Sequence, residues 1–571
     1  MTATAETTAG LTAKGRREMA ERTLSRLLFS AIALGLALQL HLSWITEINW
    51  DEFHYLALVH EYARGELSLA LQTAHVHLFA PLLWLPGDEI LQVKIGRLIM
   101  LGLQCGTMAL LYRLSRRFFA PSTALLLVLA YAASGNVLMH GSSFRADPFA
   151  AFLILSGLVA VSQTRLGPLR AAVAVLAPAA ALLVTVKVVF YAPAFLAVLL
   201  WQLQTAPNRL QTFQRWAAIT LVSLAAFALA YWLHKGTLAA ASDARSAVML
   251  SNAAQVTLLD ASLFPRARDI IRHMLQDPLQ VLLWIAGAAS ALAAFFGKIE
   301  DDKSRAQALL LMALVAVCLV AYRNAFPYFF PFILPPAMLL IGYAIESRRA
   351  SARLVMILVL ALVTSAFLNW DRVRDNGQET QQAILDEVHA MYPQPVATID
   401  RNGMIASFPR VGFFMSTWGL QNYLTAAVPV FGEILAERPV PLLVLNSPTL
   451  EDAVGEPPTA RLYARLLPED RALLRDNYIP QAGKIWVAGK SVEAGPDTSA
   501  IAIAIPGLYR LEAEFPLVIN AVEVQPGHTT MLERGRTTLS SARTQSVILR
   551  WAGAGPRPGR NLPGGPVYRG L

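Results

Sequence analysis

Residues 27–45, LLFSAIALGLALQLHLSWI, form an apolar run that is followed directly by the polar stretch 46–55, TEINWDEFHY. The run has roughly the 20 residues that an α-helix needs to cross the hydrocarbon core of a bilayer. It is too long for the core of a signal peptide, and no small-residue cleavage site follows it. Five basic residues precede it: Lys14, Arg16, Arg17, Arg22 and Arg26. We therefore interpret the run as a retained membrane anchor.

The composition extends this interpretation to the rest of the protein. Of the 571 residues, 55% are hydrophobic and 15% are charged, whereas soluble globular domains carry about 25% charged residues. The two cysteines, Cys105 and Cys318, lie in apolar stretches, so no disulfide framework is expected. This composition excludes a disordered chain, a fibrous protein and an ordinary soluble enzyme. It predicts an α-helical polytopic membrane protein with a polar appendage.

Eleven apolar segments predict about eleven membrane spans. They lie near 27–45, 93–112, 119–138, 149–163, 171–186, 188–204, 216–233, 279–296, 307–322, 327–345 and 353–369. Several of them are shorter than the roughly 20 residues of a full span. Together they predict a transmembrane module over residues 27–369, after an N-terminal segment at 1–26.

Lysine and arginine predict the orientation of this module. Residues 1–369 contain 29 Lys and Arg against 19 Asp and Glu, whereas residues 370–571 contain 19 against 20. With the N-terminus in the cytoplasm, 18 of the 29 basic residues lie on the inner side, as the positive-inside rule requires. The 46–92 loop and residues 370–571 then lie outside the cytoplasm. Because the basic residues flank spans, they give no reason to expect a nucleic-acid partner.

The polar part beyond residue 370 is predicted to fold into two regions and a tail. The 370–498 region combines helices and strands and indicates an α/β layer. The 499–554 region is β-rich and resembles a sandwich in its alternation. The Pro/Gly/Arg-rich stretch 555–571 is expected to be disordered. The expected elements are a helix at 378–392 and strands at 396–400, 442–446, 484–488, 501–505, 509–515, 518–524 and 546–551.

Charged residues at the outer ends of the spans are the functional candidates, because charge near hydrocarbon is costly and marks function. The predicted topology brings them to one side of the membrane. The candidate catalytic residues are Asp51 and Glu52, and the candidate substrate-binding residues are His54, Tyr55, Arg97, Arg145, Asp147, Lys187 and Arg323. Carboxylates beside cations suit a reaction in which a base takes a proton from an acceptor while cations hold an anionic leaving group. A lipid-linked phosphosugar fits such a site.

These candidates also have structural explanations. The acidic pair at Asp51 can cap the start of an outer helix, Arg97 and Lys187 can extend from a span to the interface, and Arg145 can form an ion pair with Asp147. A single charged residue therefore indicates function weakly. The convergence of the whole set on one side is the stronger observation.

Metal binding and two acidic turns were also considered. His75 and His77 suggest metal ligands with Glu52, but histidines at i and i+2 share a face only on a strand. A divalent metal is therefore one option, and no cofactor is implied. The Asp88-Glu89 pair follows Pro-Gly and predicts a solvated turn, and Asp400 after a predicted strand predicts a simple turn.

Several motifs resemble those of a known family. The stretch 49–55, NWDEFHY, after a first span resembles the Asp-Glu-x-x-Tyr signature of C-type glycosyltransferases. Residues 96–98 (GRL), 111–117 (LYRLSRR) and 145–148 (RADP) are similar to further motifs of one branch. That branch is the protein O-mannosyltransferase and lipid A aminoarabinose-transferase group, glycosyltransferase family 39. The resemblance covers roughly residues 25–200.

The resemblance implies an inverting transferase that uses a polyprenyl-phosphate sugar, with Asp51 as the base. The expected partners are this donor, membrane lipids and a lipid, glycan or protein acceptor. The chain departs from the family pattern at His54. The lack of an Asn-x-Ser/Thr sequon and the abundance of Ala, Leu and Arg favour the inner membrane of a bacterium. The alternatives are a polysaccharide or lipid transporter or flippase, and a non-catalytic subunit of a cell-envelope assembly system.

Overall fold

The computed structural model describes residues 2–163, 166–238, 263–297, 300–348, 350–455, 464–555 and 562–569. The chain divides into two compact units, each built from three separate stretches of sequence. The first unit comprises Met1–Thr46, Tyr62–Leu82 and Lys94–Asp375, and the second comprises Glu47–Glu61, Leu83–Val93 and Asn376–Leu571.

Long apolar helices dominate the first unit. Among the described residues, seven helices are long and apolar enough to cross a membrane, and a bent pair brings the number to eight. The seven are Glu21–Ile45, Glu89–Ser115, Val186–Thr205, Arg209–Gly236, Pro278–Phe295, Asp302–Val320 and Ala352–Val373, and three shorter apolar helices are Pro121–Ala133, Ala146–Val161 and Pro168–Val184. Small helices lie between them at His75–Phe79, Gly135–His140 and Ala267–Gln276.

Each of the eleven apolar segments found in the sequence falls on one of these helices, which confirms the predicted helical membrane fold. The 327–345 segment is broken into Pro327–Ala337 and Leu339–Ser347, which meet at 44°. Pro335 and Pro336 lie directly before the break. A proline ring clashes with the carbonyl of the preceding turn and removes a hydrogen-bond donor, which accounts for the bend.

Close helix packing in the first unit depends on small residues. A Cβ added at Gly287 would lie 2.0 Å from the carbonyl oxygen of Leu340, and one added at Gly157 would lie 2.5 Å from Pro178. Such contacts let helix backbones approach where the hydrophobic effect gives little drive for association. Buried hydrogen bonds add to the packing, such as the one from the hydroxyl of Tyr131 to the carbonyl of Pro331 at 2.8 Å.

The second unit contains two β-sheets and short helices. The strands are β1 (Thr398–Ile399), β2 (Leu442–Val444), β3 (Tyr478–Ala482), β4 (Ile485–Ala494), β5 (Ser499–Ile503), β6 (Gly507–Glu512), β7 (Leu517–Ile519), β8 (Val522–Val524), β9 (Thr529–Leu532), β10 (Gly535–Ser540) and β11 (Gln545–Trp551). One sheet has the order β1-β2-β4-β11-β6-β9, with β3 also paired to β4, and the other has the order β5-β10-β7-β8. The helices of this unit are Trp50–Ala63, Glu379–Met391, Thr417–Ala426, Phe431–Glu437, Pro448–Val454 and Pro468–Asn477.

One sheet contains strands from both sides of the boundary predicted at residue 498. Strand β4 pairs with β2 through residues 485–487 and with β11 through residues 489–494. The α/β layer and the β-rich region therefore share one sheet, in which β4 of the first pairs with β11 of the second. Local periodicity cannot reveal this, because the two partners of β4 lie on opposite sides of it in the sequence.

Two further expectations for this unit differ from the structure. The predicted strand at 518–524 is a hairpin of β7 and β8, because Asn520 and Ala521 both have positive φ, at 47° and 69°. Part of the tail that was expected to be disordered is packed: Val567 is buried and its carbonyl accepts a hydrogen bond from Gln381. Strands β3, β9 and β10 were not predicted.

Replacing Gly287 with leucine should destabilise the helix bundle. The new Cβ meets backbone, which cannot rotate away, so we expect an overpacking penalty of about 1–3 kcal/mol or more and a lower unfolding temperature. Thermal unfolding of the purified chain in detergent measures this. Gly102→Leu is the matched control, because nothing lies within 4 Å of a Cβ added there. Equal stability of the two variants would contradict the packing described here.

Candidate functional site

Three of the predicted site residues meet in the first unit. The Nζ of Lys187 lies 2.5 Å from Oδ1 of Asp147, whose side chain is almost fully buried. Arg145 directly precedes the helix that carries this aspartate, and its guanidinium lies 3.3 Å from the ring centroid of Tyr328. The Nζ of Lys187 lies 5.6 Å from the same ring. The structure therefore gathers two cations, one carboxylate and an aromatic ring into one cluster, which we call the cation cluster.

Helix ends position these side chains. Asp147 lies in the first turn of Ala146–Val161, where the helix dipole favours a negative charge. Helix Pro168–Val184 ends at Thr185, which has an extended backbone, and the hydroxyl of Thr185 accepts a hydrogen bond from the backbone N–H of Lys187 at 3.3 Å. This cap starts a 3-10 turn over Val186–Tyr191. The lysine therefore follows the end of one helix and reaches the start of another.

Another cation, which sequence reasoning missed, contacts the segment before Tyr328. The guanidinium of Arg266 lies 3.7 Å from the ring of Phe326, and its Nε donates a hydrogen bond to the carbonyl of Arg323 at 2.8 Å. The predicted residue Arg323 is half-buried. Arg266 lies between the apolar segments 216–233 and 279–296, away from the predicted span ends, so its position gave no signal.

An apolar groove of about 440 Å³ lies between the helices that carry the cation cluster. Val188, Val189 and Ala192 line it directly after Lys187, and Ile154 lines it from the helix of Asp147. The far wall comes from helix Arg209–Gly236. The groove lining is almost entirely apolar, so it suits a hydrocarbon chain.

Arg97 contacts the end of the first span. Its Nη1 donates hydrogen bonds to the carbonyls of Ser43 at 3.3 Å and Thr46 at 3.0 Å. These are carbonyls at the C-terminus of the first span, which no intrahelical donor satisfies. Arg97 therefore caps the helix that leads to the Asp-Glu motif.

The Asp-Glu motif opens helix Trp50–Ala63 in the second unit. The Oδ1 of Asn49 accepts from the backbone N–H of Asp51 at 3.0 Å, and the Oε2 of Glu52 accepts from the backbone N–H of Asn49 at 3.0 Å. This reciprocal arrangement is a capping box. It gives the buried Glu52 a structural task and makes Asp51 the better candidate for chemistry.

The residues around Asp51 come from distant parts of the sequence. The guanidinium of Arg401 lies 4.2 Å from the ring of Trp50, and burial lowers its pKa while the nearby Tyr568 and Asp51 oppose that shift. Asn402 donates a hydrogen bond to the carbonyl of Trp50 at 3.0 Å and accepts one from the hydroxyl of Tyr568 at 3.0 Å. Sequence reasoning did not find these three partners.

A tight turn after β1 presents Arg401 and Asn402. The buried carboxylate of Asp400 accepts hydrogen bonds from the backbone N–H groups of Asn402, Gly403 and Met404 at 3.2, 2.6 and 2.6 Å. Gly403 has a φ of +78°, and a Cβ there would lie 2.7 Å from that of Ala57. The turn expected at Asp400 is present, and it packs against the helix of the Asp-Glu motif.

His54 and Tyr55 belong to the same helix. The ring of His54 stacks on Phe414 with centroids 4.0 Å apart, and Tyr55 is buried.

The expectation of a solvated turn at Asp88-Glu89 is wrong. Glu89 is buried, its Oε1 accepts from the hydroxyl of Ser407 at 2.5 Å, and its Oε2 lies 2.9 Å from Nε2 of His389. Asp88 accepts a hydrogen bond from Gln382. The polar partners come from the C-terminal part of the second unit, which explains why the local sequence indicated solvent.

His77, one of the two histidines considered as metal ligands, contacts another histidine. Nε2 of His77 lies 2.8 Å from Nδ1 of His234, and Nε2 of His234 lies 3.0 Å from the hydroxyl of Thr73. Within the described parts of the chain, no group of three or more His, Cys, Asp or Glu residues is arranged to hold a metal ion.

No protein-family model and no curated protein sequence matches the chain. Several solved structures resemble it, and ArnT and AglB are among them. ArnT from Cupriavidus metallidurans bound to undecaprenyl phosphate has a TM-score of 0.53 at 14% identity, over 73% of this chain and 92% of that chain. AglB, the oligosaccharyltransferase from Archaeoglobus fulgidus in complex with an inhibitory peptide and a dolichol-phosphate, has a TM-score of 0.53 at 11% identity, over 92% and 96%.

These comparisons establish the fold class. The chain shares the architecture of ArnT and AglB over most of the length of both proteins. The polytopic membrane fold that the resemblance implies is therefore present.

The His389–Glu89 contact predicts a pH-dependent stability. The hydrogen bond to Glu89 raises the pKa of His389 above its usual value of about 6.5. The stabilisation that this contact adds to the free energy of unfolding is therefore fully present below the pKa of His389 in the unfolded chain. It is lost as the pH rises through the pKa of His389 in the folded chain. Thermal unfolding of the full chain between about pH 6 and about pH 8 should show this decline. His389→Gln should reduce the decline in stability with rising pH. His528→Gln, at an exposed histidine, is the control and should leave that decline unchanged. An unchanged pH profile in His389→Gln would contradict the assignment.

Proposed function

We propose that the protein is an integral-membrane glycosyltransferase that moves a sugar from a polyprenyl-phosphate donor to a lipid, glycan or protein acceptor. The observation that carries the proposal is the cation cluster on helices that also line an apolar groove, within a fold shared with ArnT and AglB. Those two structures hold undecaprenyl phosphate and a dolichol-phosphate, respectively. Both ligands combine an anionic phosphate with a long hydrocarbon chain.

The cation cluster suits the phosphate of such a donor. Arg145 and Lys187 supply two positive charges, and the single carboxylate of Asp147 leaves the three groups with a net positive charge. Charge-assisted hydrogen bonds to phosphate contribute roughly 1.5–3 kcal/mol each. The same cations stabilise the negative charge that grows on the phosphate as the sugar leaves. We assign Arg323, whose carbonyl is held by Arg266, to the same region.

The apolar groove suits the tail of the donor. Its walls begin at Val188, next to the cation at Lys187, so a phosphate at the cluster has hydrocarbon-lined space beside it. Burial of apolar surface contributes roughly 25 cal/mol per Å². The tail therefore supplies affinity, and the cations supply orientation.

Asp51 is proposed as the general base. It removes the proton from the acceptor group while a new bond forms to the anomeric carbon and the bond from that carbon to the phosphate breaks. Arg401 and Trp50 border its helix start, and the capping box of Glu52 fixes the backbone there. His54 and Tyr55 are assigned to binding of the sugar or the acceptor. Arg97 contributes by holding the end of the first span.

A transporter or flippase is not favoured. Such a protein is expected to place charged residues near the bilayer midplane, whereas the cation cluster lies at helix ends. The fold is also that of two structures whose ligands are lipid phosphates.

We further propose a bacterial inner-membrane location with the N-terminus in the cytoplasm and residues 370–571 outside. The excess of Lys and Arg on the predicted inner side supports this orientation. In that arrangement the second unit contributes to binding of the acceptor.

Replacing Asp51 with asparagine should abolish most of the transfer. The substitution keeps the shape of the side chain and removes its basicity, so single-turnover transfer in lipid should fall by about 10²–10⁴. Glu52→Gln is the matched comparison, because its amide oxygen still accepts the capping-box hydrogen bond from Asn49 and transfer should therefore fall less. Transfer by Asp51→Asn within a few-fold of wild type would remove Asp51 from the mechanism.

Neutralising the cation cluster should weaken donor binding. Arg145→Gln and Lys187→Gln should each raise the Kd for undecaprenyl phosphate by roughly tenfold or more, because each removes a charge-assisted contact. Equilibrium binding of the purified variants measures this. Arg353→Gln is the control, since it removes one exposed charge that is not part of the cluster. Normal binding by both cluster variants would place the phosphate elsewhere.

A further inference from the structure

A second cavity in the first unit is lined by arginines. It has a volume of about 610 Å³ and lies where helix Glu89–Ser115 ends, beside the last turn of Ala146–Val161 and the first turn of Pro168–Val184. Its basic lining residues are Arg113, Arg116, Arg117 and Arg170. We call it the arginine cavity.

The arginine cavity is distinct from the cation cluster. Asp147 of the cluster lies in the first turn of Ala146–Val161, whereas Val159, Ala160 and Gln163 of the cavity lie at the opposite end. At 1.5 Å per residue, this 16-residue helix separates the two sites by about 24 Å. That distance is close to the thickness of a bilayer core. The two sites therefore lie toward opposite membrane surfaces.

In the part of the chain that the structure describes, the arginine cavity has an excess of positive charge. The lining contains no carboxylate, and none of the ion pairs in the described chain involves Arg113, Arg117 or Arg170. Arg116 is partly engaged, because its Nη1 donates a hydrogen bond to the carbonyl of Phe119. Burial and the nearby charge of Arg170 lower the pKa of Arg117, so these two guanidinium groups repel each other. An anion between them relieves that repulsion.

The remaining walls indicate what kind of anion fits. Apolar side chains form much of the lining, namely Leu110, Val159, Ala160, Leu169 and Val173. Two uncharged polar side chains, Ser156 and Gln163, lie among them. A free phosphate needs no apolar wall. A phospholipid needs both surfaces, because its phosphate is followed by acyl chains. Basic pockets between transmembrane helices are known sites for anionic headgroups.

We propose that the arginine cavity binds the phosphate headgroup of an anionic phospholipid, in the leaflet opposite the cation cluster. A lipid headgroup and a soluble competitor share the same chemistry, a phosphate group held by several guanidinium donors. The bound lipid neutralises like charges and joins the ends of three helices. This inference does not depend on the proposed transferase function, because it rests on a different cavity.

The test measures lipid binding to the purified full chain. Phosphatidylglycerol is titrated into the protein in zwitterionic nanodiscs, and bound lipid is counted by native mass spectrometry. The triple variant Arg113→Gln, Arg117→Gln, Arg170→Gln should bind roughly a hundredfold more weakly, at about a fivefold loss per charge. The control is Arg209→Gln, Arg348→Gln, Arg353→Gln, which removes the same charge from exposed arginines outside the cavity lining. Equal losses in both triple variants would overturn the proposal.

A second arm distinguishes a lipid from a free phosphate. Inorganic pyrophosphate is titrated into the same protein by calorimetry. Tight pyrophosphate binding that the cavity variant loses, without preferential phosphatidylglycerol binding, would overturn the lipid assignment and identify a soluble ligand. Preferential phosphatidylglycerol binding with weak pyrophosphate binding supports the lipid. If the triple variant does not fold, Arg170→Gln alone should still bind lipid several-fold more weakly, since Arg170 is exposed on the first turn of its helix.

Discussion

A charged group that lies against hydrocarbon must find a partner or reach water, and the ion pair of Lys187 with Asp147 meets this requirement at the ends of two helices. The pair fixes the turn over Val186–Tyr191 against the start of Ala146–Val161. The aromatic ring of Tyr328 then covers Arg145, and the apolar groove opens beside the lysine. One electrostatic constraint therefore orders the cation cluster, the ring of Tyr328 and the apolar groove of the first unit.

The membrane helices and part of the site were accessible from sequence, because their determinants are local. An apolar run of sufficient length forms a helix whatever it packs against, and helix ends then alternate between the two sides of the membrane. That alternation was enough to expect Arg145, Asp147 and Lys187 on one side. The 2.5 Å ion pair of Lys187 with Asp147 could be found only in the structure, because the cap at Thr185 that turns the chain leaves no apolar pattern in the sequence.

The surroundings of the Asp-Glu motif were not accessible in this way. Asn402 contacts Trp50 across 352 residues, and Glu89 meets Ser407 across 318 residues. No periodicity connects such positions, and each residue alone has an ordinary explanation as a turn or a solvated charge. The same applies to β4, whose sheet partners β2 and β11 lie on opposite sides of it in the sequence. Contacts of long sequence separation are therefore the part that sequence reasoning missed.

The packing of residues 562–569 has a consequence for biosynthesis. The backbone N–H of Arg569 donates to the carboxylate of Glu47 across 522 residues, and Tyr568 packs edge-on against Trp50. The segment with Asp51 is therefore translated long before these neighbours. A nascent chain that has not yet reached residue 568 carries the Asp-Glu motif without them. The surroundings of the motif form only after the ribosome has passed residue 569.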